Sequence, residues 1–332
     1  MLIGIAVTHT TGMDASWTTI HLAAAAVRKG HQVRLFQLSD VDIEQDGRLA
    51  SRAFCLDPDG GGDQTPEGIA EHLRTRTLPR RWLTLPRLDL LLWRSAPLSL
   101  DLLALATRLA DLGVMVVNNP RTLPMVSHKG WLQTLGDMPI PATLTTMSPS
   151  RAELFAEDLN ADVVLKPARG SGGRGVTRIG RGRLSELHDA FLAIREASGH
   201  VVVQRYLEEA DQGEKRLLWC NGKILGGYLR QRAPGRLQHN VHQGASTHPT
   251  IVTSADLAAV DLVSPHLIRA GILFAGIDLI GGKIVEVNVV NPGGSVLTDV
   301  LHGSDTSGDI IDCLTSLCPR SPPEDTWELP VP

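Results

Sequence analysis

The sequence of 332 residues lacks the features that mark membrane, secreted and nucleic-acid-binding proteins. No window in it approaches the apolar length that spans a bilayer. The apolar residues 1–7 form a short run without a basic region, so we interpret them as a first strand and not as a signal peptide. A net charge of -4 provides no basic face for nucleic acid and no polybasic membrane anchor. We therefore expect neither nucleic acid nor a membrane among its partners.

Cysteine is scarce and follows no metal or disulfide pattern. We interpret the four scattered cysteines as free thiols of a cytoplasmic protein: Cys55, Cys220, Cys313 and Cys318. His239 and His242 have H-x-x-H spacing, but no cysteine or glutamate stands nearby, which disfavours a zinc site. An apolar content of 42% and a charged content of 20% are typical of a globular protein, and the length suffices for two or three domains.

The first part of the chain predicts a β-loop-α-β unit. Residues 2–7 and 32–38 have the pattern of buried strands, and residues 16–29 have that of a helix. Such a unit favours a parallel sheet, with the first loop at the carboxyl edge where ligands of open α/β sheets bind. Asp14 and Ser16 in this loop are candidate substrate contacts. Alternatively, they serve the amino end of the helix, which would be capped at Ser16.

Further elements complete a predicted amino-terminal α/β domain over residues 1–118. Residues 53–79, rich in glycine, aspartate and proline, are expected to form a surface loop with little order. The other elements are a strand over residues 88–93 that ends at Arg94, a helix over 100–112 and a strand over 114–117.

A glycine-rich loop follows a strand predicted over residues 163–167. Its glycines satisfy the G-x-G-x-x-G pattern of dinucleotide-binding turns at Gly170, Gly172 and Gly175. Those turns join a strand to a helix, whereas residues 176–179 here have the pattern of a strand. The loop therefore joins two strands, and the dinucleotide interpretation is rejected.

The same loop is suited to phosphate binding. Lys166 stands at its base and Ser171 at its tip, and glycine lets backbone N–H groups approach phosphate oxygens closely. A lysine among apolar strand residues needs an anionic partner if it is buried. The alternative is a mobile surface turn.

Two arginines, Arg216 and Arg230, fall on successive strands of one predicted hairpin. Two converging guanidinium groups would bind a phosphate or a carboxylate in bidentate fashion. Alternatively, they are isolated surface arginines of little consequence. Residues 231–249, which are polar and contain glycine, are predicted to form a substrate loop.

Acidic residues and an asparagine are concentrated in a hairpin over residues 276–294. Glu286 and Asn288 are two residues apart in a strand and therefore share one face. A two-residue turn would send Glu286 to the face opposite Asp278, whereas a three-residue loop over residues 281–283 would pair them. Glycine makes the longer loop easy, so we predict it.

These three side chains offer two carboxylates and an amide oxygen, without histidine or thiolate. That donor set suits a hard cation such as Mg²⁺, which keeps waters and shares substrate phosphates. The alternative is a half-exposed hairpin whose polar residues face water.

Taken in order, these motifs resemble the ATP-grasp superfamily and, within it, the bacterial glutathione synthetases. The matching segments are MDASW before the first helix, WRSAPLS after a middle strand, Lys129 in a short helix over residues 127–135, KPARGSGG, QRYL, EKR, and the D, E and N of the last hairpin. The resemblance covers residue 1 to about residue 318.

The resemblance implies an α/β fold, with an N-terminal open parallel-sheet (pre-ATP-grasp) domain followed by a two-subdomain ATP-grasp fold. The implied division is residues 1–118 for substrate binding, 119–200 as the central lid subdomain, 201–318 as the C-terminal subdomain and 319–332 as a loose tail. Such enzymes are usually dimers or tetramers, so a homo-oligomer is implied as well.

The implied activity is that of an ATP-dependent carboxylate–amine ligase, which forms a peptide bond through an acyl phosphate. The residues implied to hold ATP are Lys129, Lys166, Gly170, Gly172, Gly173, Gln204, Arg205, Tyr206, Leu207 and Glu214. Those implied to hold Mg²⁺, or alternatively Mn²⁺, are Asp278, Glu286 and Asn288. Those implied to act on the intermediate are Arg216, Arg230, Ser171 and Asn240.

Two segments differ from the glutathione synthetase pattern. The loop after Arg230 contains LQHNVHQGASTHPT, where those enzymes have more glycine and an arginine near the end. After Asn288 the chain has NPGG in place of Ser-Pro-Thr. The first hypothesis is glutathione synthesis from γ-glutamylcysteine and glycine. The second is a related peptide ligase of specialised metabolism with a different acid or amine, and the third is a nucleotide-binding module that does not catalyse.

Overall fold

The computed structural model describes residues 1–170 and 172–319, which form three β-sheets with helices packed on them. This mixed α/β architecture confirms the predicted fold class. The first sheet has a parallel centre, in which β1 (Leu2–Val7) lies between β2 (Gln32–Gln37) and β6 (Leu90–Arg94). β7 (Met115–Val117) extends the sheet in parallel beyond β6. The parallel order brings the carboxyl ends of β1 and β6 to one edge, as predicted for the amino-terminal unit.

Helices cover both faces of this sheet. α1 (Thr18–Arg28) packs with Ile3 and Ile5 on one face, and α3 (Leu100–Asp111) covers the other. Because both faces are buried, the strands are apolar almost throughout. The helix prediction was wrong at one end: α1 begins at Thr18, and Ser16 does not cap it. The amide N–H of Ser16 is instead bound by its neighbour Asp14.

The prediction of a surface loop over residues 53–79 is wrong. β4 (Leu49–Leu56) continues into this segment and pairs antiparallel with β2. α2 (Pro66–Thr75) follows, and the Thr65 hydroxyl caps it by accepting a hydrogen bond from the Gly68 N–H at 3.2 Å. Ile69, buried in the core, anchors this helix. The sequence pattern predicted a loop because the turn residues of 57–64 dominate the local composition. The short amphipathic helix directly after them was therefore missed. Two further strands complete this edge, β3 (Val41–Ile43) and β5 (Arg80–Thr84).

The second sheet has four antiparallel strands in the order β10–β9–β11–β8. Their bounds are Thr143–Thr146 for β8, Val163–Pro167 for β9, Thr177–Ile179 for β10 and Val201–Arg205 for β11. Two helices enclose a small core on one face, α5 (Pro149–Leu159) and α6 (Leu184–Ser198). β9 and β10 flank the glycine-rich loop, which confirms that the loop joins two strands.

The third sheet is antiparallel, in the order β14–β13–β12–β15–β16. The bounds are Glu214–Cys220 for β12, Lys223–Gln231 for β13, Ser246–Pro249 for β14, Phe274–Ile280 for β15 and Lys283–Asn288 for β16. α7 (Ser254–Arg269) and the short α4 (Leu123–Val126) pack on one face around the buried Trp219. α9 (Thr306–Leu317) packs against α1 of the first sheet, and α8 (Ser295–His302) precedes it.

The hairpin of β15 and β16 pairs Asp278 directly with Glu286, as predicted. The predicted three-residue loop is wrong, because Ile280 pairs with Lys283 across a two-residue turn. A register shift between Asp278 and Leu279 restores the pairing. A bulge places two residues of one strand opposite one of the other, so it reverses the face as an extra loop residue would.

The sheets cross the domain limits proposed from the sequence. β11 lies in the proposed C-terminal subdomain (residues 201–318), yet it pairs with β8 and β9. α4 lies in the proposed lid (residues 119–200), yet it packs on the third sheet. The domain limits remain a prediction. In the part of the chain that the structure describes, no helix is both long and apolar enough to cross a membrane.

Candidate active site

A cleft of about 810 Å³ opens between the second and third sheets and reaches the carboxyl edge of the first. Its walls include all the described residues that were predicted to hold ATP or a metal or to act on the intermediate: Lys129, Lys166, Gly170, Gly172, Gly173, Gln204, Arg205, Tyr206, Leu207, Glu214, Arg216, Arg230, Asn240, Asp278, Glu286 and Asn288. Ser171, predicted at the tip of the glycine loop, lies outside the described residues. The cleft thus gathers residues that are up to 159 positions apart, from Lys129 to Asn288.

One face of the third sheet supplies the charged floor of this cleft. Register pairs Glu214 with Arg230 and Arg216 with Asp278, and residues two apart on a strand share a face. Glu214, Arg216, Arg230 and Asp278 therefore face the cleft, whereas the buried Leu217 lies on the opposite face of the sheet. This is the convergence of Arg216 and Arg230 that the hairpin pattern predicted.

Both arginines bind the same carboxylate. Arg216 reaches Asp278 with two nitrogens, Nε to Oδ1 and Nη2 to Oδ2, the second at 2.8 Å. Arg230 Nη2 lies 2.8 Å from Asp278 Oδ1 and also contacts Glu214. Burial opposes ionisation of Asp278, but the two guanidinium groups outweigh it and hold its pKa at about 2. The site therefore contains a permanently charged carboxylate between two cations.

Arg230 and Glu214 are both largely buried in the cleft, and their pairing with each other does not fully compensate that burial. Arg230 Nε is buried and has no hydrogen-bond partner among the residues that the structure describes. Burial raises the pKa of Glu214 to about 7, although the Arg230 guanidinium opposes that shift. An orphaned buried donor is costly unless a ligand satisfies it, so Arg230 is suited to bind an anion in the cleft.

The predicted metal ligands lie side by side on β15 and β16. Asn288 Nδ2 donates to Asp278 Oδ2 at 2.9 Å, and Glu286 Oε1 lies 3.0 Å from Lys129 Nζ. Two carboxylates and one amide oxygen fit a hard cation. Across residues 1–170 and 172–319, no three Asp, Glu, His or Cys side chains are grouped to hold a metal alone. A cation here would complete its coordination with water and ligand phosphates, as Mg²⁺ does.

Two lysines lie near these predicted metal ligands. Lys129 lies in a turn between α4 and a 3-10 helix (Trp131–Leu135), so the predicted helix over residues 127–135 is wrong around it. Its Nζ also donates to the Gly170 carbonyl at 2.8 Å, which ties it to the glycine loop. Lys166 Nζ donates to Gln204 Oε1 at 2.8 Å, a neutral partner. Burial lowers the pKa of Lys166, and an anion beside it would oppose that shift.

An apolar patch lies beside the lysines. Val164, Leu207 and Ile280 pack together with Tyr206, whose hydroxyl donates to Asp211 at 3.0 Å. The Arg178 guanidinium stacks 3.7 Å above the Tyr206 ring. These contacts fix the segment that follows β11 and leave an apolar surface in the cleft that suits a flat ring.

The predicted substrate loop over residues 231–249 is docked on the glycine loop. Asn240 Nδ2 and Gln243 Nε2 both donate to the Gly172 carbonyl, at 2.8 and 2.9 Å. Gly173 has a φ of +70°, and a Cβ there would lie 2.8 Å from Gln238 Cγ. Glycine is thus required both by the backbone conformation and by the close approach of the two loops.

Sequence reasoning missed several residues at the first-sheet end of the cleft. Arg94, noted only as the end of a strand, is 7% exposed and lines the cleft. Its Nη1 donates to the Pro292 carbonyl at 2.7 Å and its Nε to Thr19 Oγ1 at 3.2 Å. Of the two candidate contacts in the first loop, Ser16 is among the lining residues and Asp14 is not. The sequence signal that could have identified Arg94 is its position at the end of the apolar strand LLLWR, which places it at the carboxyl edge of the sheet.

Comparison with known proteins gives a consistent result over most of the chain. Residues 132–301 match the family model described as "Prokaryotic glutathione synthetase, ATP-grasp domain". The chain is 30% identical over 316 residues to a glutathione synthetase of Anaplasma centrale, covering 94% of this chain and 96% of that protein. It is 28% identical over 309 residues to one of Gloeobacter violaceus, covering 90% and 91% of the two chains.

Solved structures share the fold at lower sequence identity. D-cycloserine synthetase DcsG aligns with a TM-score of 0.64 at 15% identity, over 95% of this chain and 99% of that one. The ATP-grasp ligase PsnB in complex with its minimal precursor, Mg and ADP aligns with a TM-score of 0.60 at 14% identity, over 95% and 96%. These likenesses confirm the ATP-grasp fold. With the family match over half of its length, this chain belongs to the prokaryotic glutathione synthetase family and is an ATP-dependent ligase of the ATP-grasp fold.

Proposed function

We propose that the cleft transfers the γ-phosphoryl group of ATP to a small carboxylic acid and joins the acyl phosphate to an amine. One observation carries this proposal: the cleft brings four cationic side chains together with the carboxylates of Glu214, Asp278 and Glu286. The cations are Lys129, Lys166, Arg216 and Arg230. Phosphoryl transfer needs positioning and charge neutralisation more than a protein nucleophile. The site offers both.

ATP is proposed to lie with its phosphates on Lys129 and Lys166 and on the backbone of the glycine loop. The adenine would occupy the apolar patch of Val164, Leu207 and Ile280, beside the segment from Gln204 to Leu207. Glu214 is proposed to lie near the ribose. The support for the phosphate end is that Lys166 has, among the described residues, only the neutral partner Gln204, and that burial lowers its pKa.

Asp278, Glu286 and Asn288 are proposed to hold Mg²⁺, with Mn²⁺ as the alternative. The metal would supply charge neutralisation at the phosphate oxygens. The same residues already bind protein cations, since Glu286 pairs with Lys129 and Asp278 with two arginines. A phosphate chain arriving with its metal would therefore meet both cations and carboxylates in place, which reduces the reorganisation that binding costs.

In the proposed reaction, a carboxylate oxygen of the acid attacks the γ-phosphorus, and the bond to the β-phosphate oxygen breaks to release ADP. The amine nitrogen then attacks the acyl carbon. The bond from that carbon to the phosphate oxygen breaks, inorganic phosphate leaves, and the amine loses a proton. Arg216 and Arg230 would stabilise the negative charge that develops at the acyl group. Asn240, Ser171 and the glycine loop would close over the intermediate and exclude water.

The acid and amine are proposed to be γ-glutamylcysteine and glycine, because the most similar relatives reported above are glutathione synthetases. The test is ADP release by the purified protein with Mg²⁺, ATP and both substrates, and then with each substrate omitted. Release that requires both substrates is expected. ATP binding without release on that pair would overturn the product and direct the search to other acids and amines.

A second candidate is a related peptide ligase of specialised metabolism with a different acid and amine. The observation that favours it is the composition of the loop over residues 231–249. Gln238 contacts Gly173, and His239 is buried with Nε2 2.8 Å from the Ala210 carbonyl. Both side chains line the cleft, so this loop contributes to the shape of the substrate site. A panel of dipeptide and amino-acid substrates in the same ADP assay would separate the two candidates.

We also propose a cytoplasmic homo-oligomer, either a dimer or a tetramer, without a nucleic-acid or membrane partner. The four free cysteines support a reducing compartment. Light scattering on the eluting protein gives the mass of the assembly directly. A monomer mass near 35.8 kDa would overturn the oligomer.

A further inference from the structure

Arg94 is a cleft cation that the proposed reaction does not use. It stands at the carboxyl end of β6 and is 7% exposed, and it lines the cleft beside Trp17 and Thr19. We propose that Arg94, with the amino end of α1, binds a second substrate carboxylate, one that is not phosphorylated. This inference rests on the proposed ligase function.

The partners of Arg94 are neutral. Nε donates to Thr19 Oγ1 at 3.2 Å and Nη1 donates to the Pro292 carbonyl at 2.7 Å. Within the described ranges, 1–170 and 172–319, Arg94 has no carboxylate within 4 Å and its Nη2 makes no hydrogen bond. Arg216 and Arg230 differ, since both bind Asp278. A buried cation without a counter-ion is costly, and a ligand anion would offset that cost.

The surroundings of Arg94 favour negative charge. Burial lowers its pKa to about 9, so it still carries its proton at neutral pH. α1 begins at Thr18 without a side-chain cap, and Thr18 and Thr19 both line the cleft. The first N–H groups of a helix have no partner within the helix and carry partial positive charge. Arg94 and this helix end therefore act on the same part of the cleft.

Arg94 lies close to the reacting end of the cleft. Its acceptor is the Pro292 carbonyl, and Arg216 Nη1 lies 3.3 Å from the next carbonyl, that of Gly293. Consecutive residues are about 3.8 Å apart along the chain. The two arginines thus contact consecutive carbonyls of one segment, so a substrate held at Arg216 by its reacting group has Arg94 in the neighbouring part of the cleft. The expected substrate class is an acid with two carboxylates or an amine that carries one.

A cycle of variants and substrate analogues tests this assignment and identifies which substrate carries the carboxylate. The variants are Arg94→Met and Arg94→Lys, with Arg80→Met as an arginine control outside the cleft. The analogues are γ-glutamylcysteine with its glutamyl α-carboxylate amidated, and glycinamide in place of glycine. For the wild type, amidation of the bound carboxylate is expected to lower kcat/KM about 10- to 100-fold.

With the native substrate, Arg94→Met is expected to lose as much kcat/KM as the wild type loses when the bound carboxylate is amidated. Amidation should cause no further loss in this variant. If kcat/KM of the wild type falls with only one of the two amidated analogues, that analogue identifies the substrate whose carboxylate Arg94 binds. Arg94→Lys should keep part of the discrimination, since it keeps the charge and loses the planar fork. If Arg94→Met still shows the full penalty for both amides, or only a lower melting temperature with unchanged KM, the arginine is structural and the proposal is wrong.

A separate titration keeps this inference distinct from the choice of product. Glutarate, a plain dicarboxylate, is titrated calorimetrically into the wild type and Arg94→Met. Stronger binding by the wild type supports the assignment even if γ-glutamylcysteine and glycine are not turned over. Equal binding, or none by either protein, contradicts it.

Discussion

Arg216 holds Asp278 by two nitrogens, with Nη2 donating to Oδ2 at 2.8 Å and Nε donating to Oδ1. The two residues are direct register partners on β12 and β15, so the sheet itself fixes this contact. Gly276 contributes as well, because a Cβ there would lie 3.0 Å from Arg216 Cδ. The proposed metal ligand and the proposed charge-stabilising group are therefore positioned by the same sheet.

Glu286→Ala is expected to lower turnover at least about 100-fold, because changes outside the ligand shell of a metal already cost 10- to 100-fold. Stability should change little. The Glu286 side chain is 28% exposed and its pair with Lys129 is of the partly exposed kind that contributes about 0–1 kcal/mol. ADP release and thermal unfolding measure the two effects. Glu196→Ala, at an exposed position of α6, is the control. Normal turnover in Glu286→Ala would remove the metal assignment.

Lys166→Met is expected to weaken ATP binding about 10- to 100-fold while the melting temperature stays equal or rises. Within residues 1–170 and 172–319 the ammonium donates only to Gln204, and burial already disfavours its charge, so the fold gains little from it. Calorimetric titration with ATP and a thermal scan give both quantities. The exposed Lys223→Met is the matched control. Wild-type affinity in Lys166→Met would place the phosphates elsewhere.

Removal of the contacts between the two loops is expected to uncouple ATP use from product formation. Asn240 and Gln243 both donate to the Gly172 carbonyl, and each such bond contributes about 0.5–1.5 kcal/mol. Asn240→Ala with Gln243→Ala should leave the loops open more often and admit water to the intermediate. The ratio of ADP to amide product should rise above that of the wild type and of the exposed Gln212→Ala. An unchanged ratio would mean that these loops do not protect the intermediate.

Glu214 is expected to make stability fall as pH rises from about 4.5 to about 7. Its pKa in the folded protein is about 7, above the ordinary value of 4.5. The folded state therefore holds a proton that the unfolded state loses first, so the stability from this group is present below 4.5 and is lost through pH 7. The shift corresponds to about 3 kcal/mol.

Denaturant unfolding across this pH range measures that dependence. The difference in unfolding free energy between the wild type and Glu214→Gln should decrease by this amount from pH 4.5 to pH 7.5. A difference that stays constant with pH would mean that Glu214 is ionised throughout, as an ordinary salt-bridge partner of Arg230.

Sequence patterns within a short segment predicted the elements whose structure depends mainly on that segment. β9 was predicted with the bounds that the structure has, Val163–Pro167, because a buried strand between turn residues has a strong signal. The pairing of Asp278 with Glu286 was predicted correctly but for the wrong reason. A bulge and a longer loop both shift the face by one residue, and the sequence of a glycine turn permits either.

Such patterns could not predict contacts between residues that are far apart in the sequence. Arg94 and Pro292 are 198 residues apart, and nothing near either residue indicates that they meet. α2 was missed because the glycine-rich turn before it dominates the composition of a window that also contains a capped helix. The sixteen site residues that do line the cleft came mostly from the ordered set of motifs, since no single motif was specific alone.

The most direct test of the acyl phosphate is to follow an oxygen atom. γ-Glutamylcysteine labelled with ¹⁸O at both oxygens of the cysteinyl carboxylate is incubated with ATP, Mg²⁺ and glycine, and the released phosphate is analysed by mass spectrometry. Transfer of the phosphoryl group to that carboxylate predicts one ¹⁸O atom in each inorganic phosphate for every amide formed. Product formation with unlabelled phosphate would contradict the proposed mechanism.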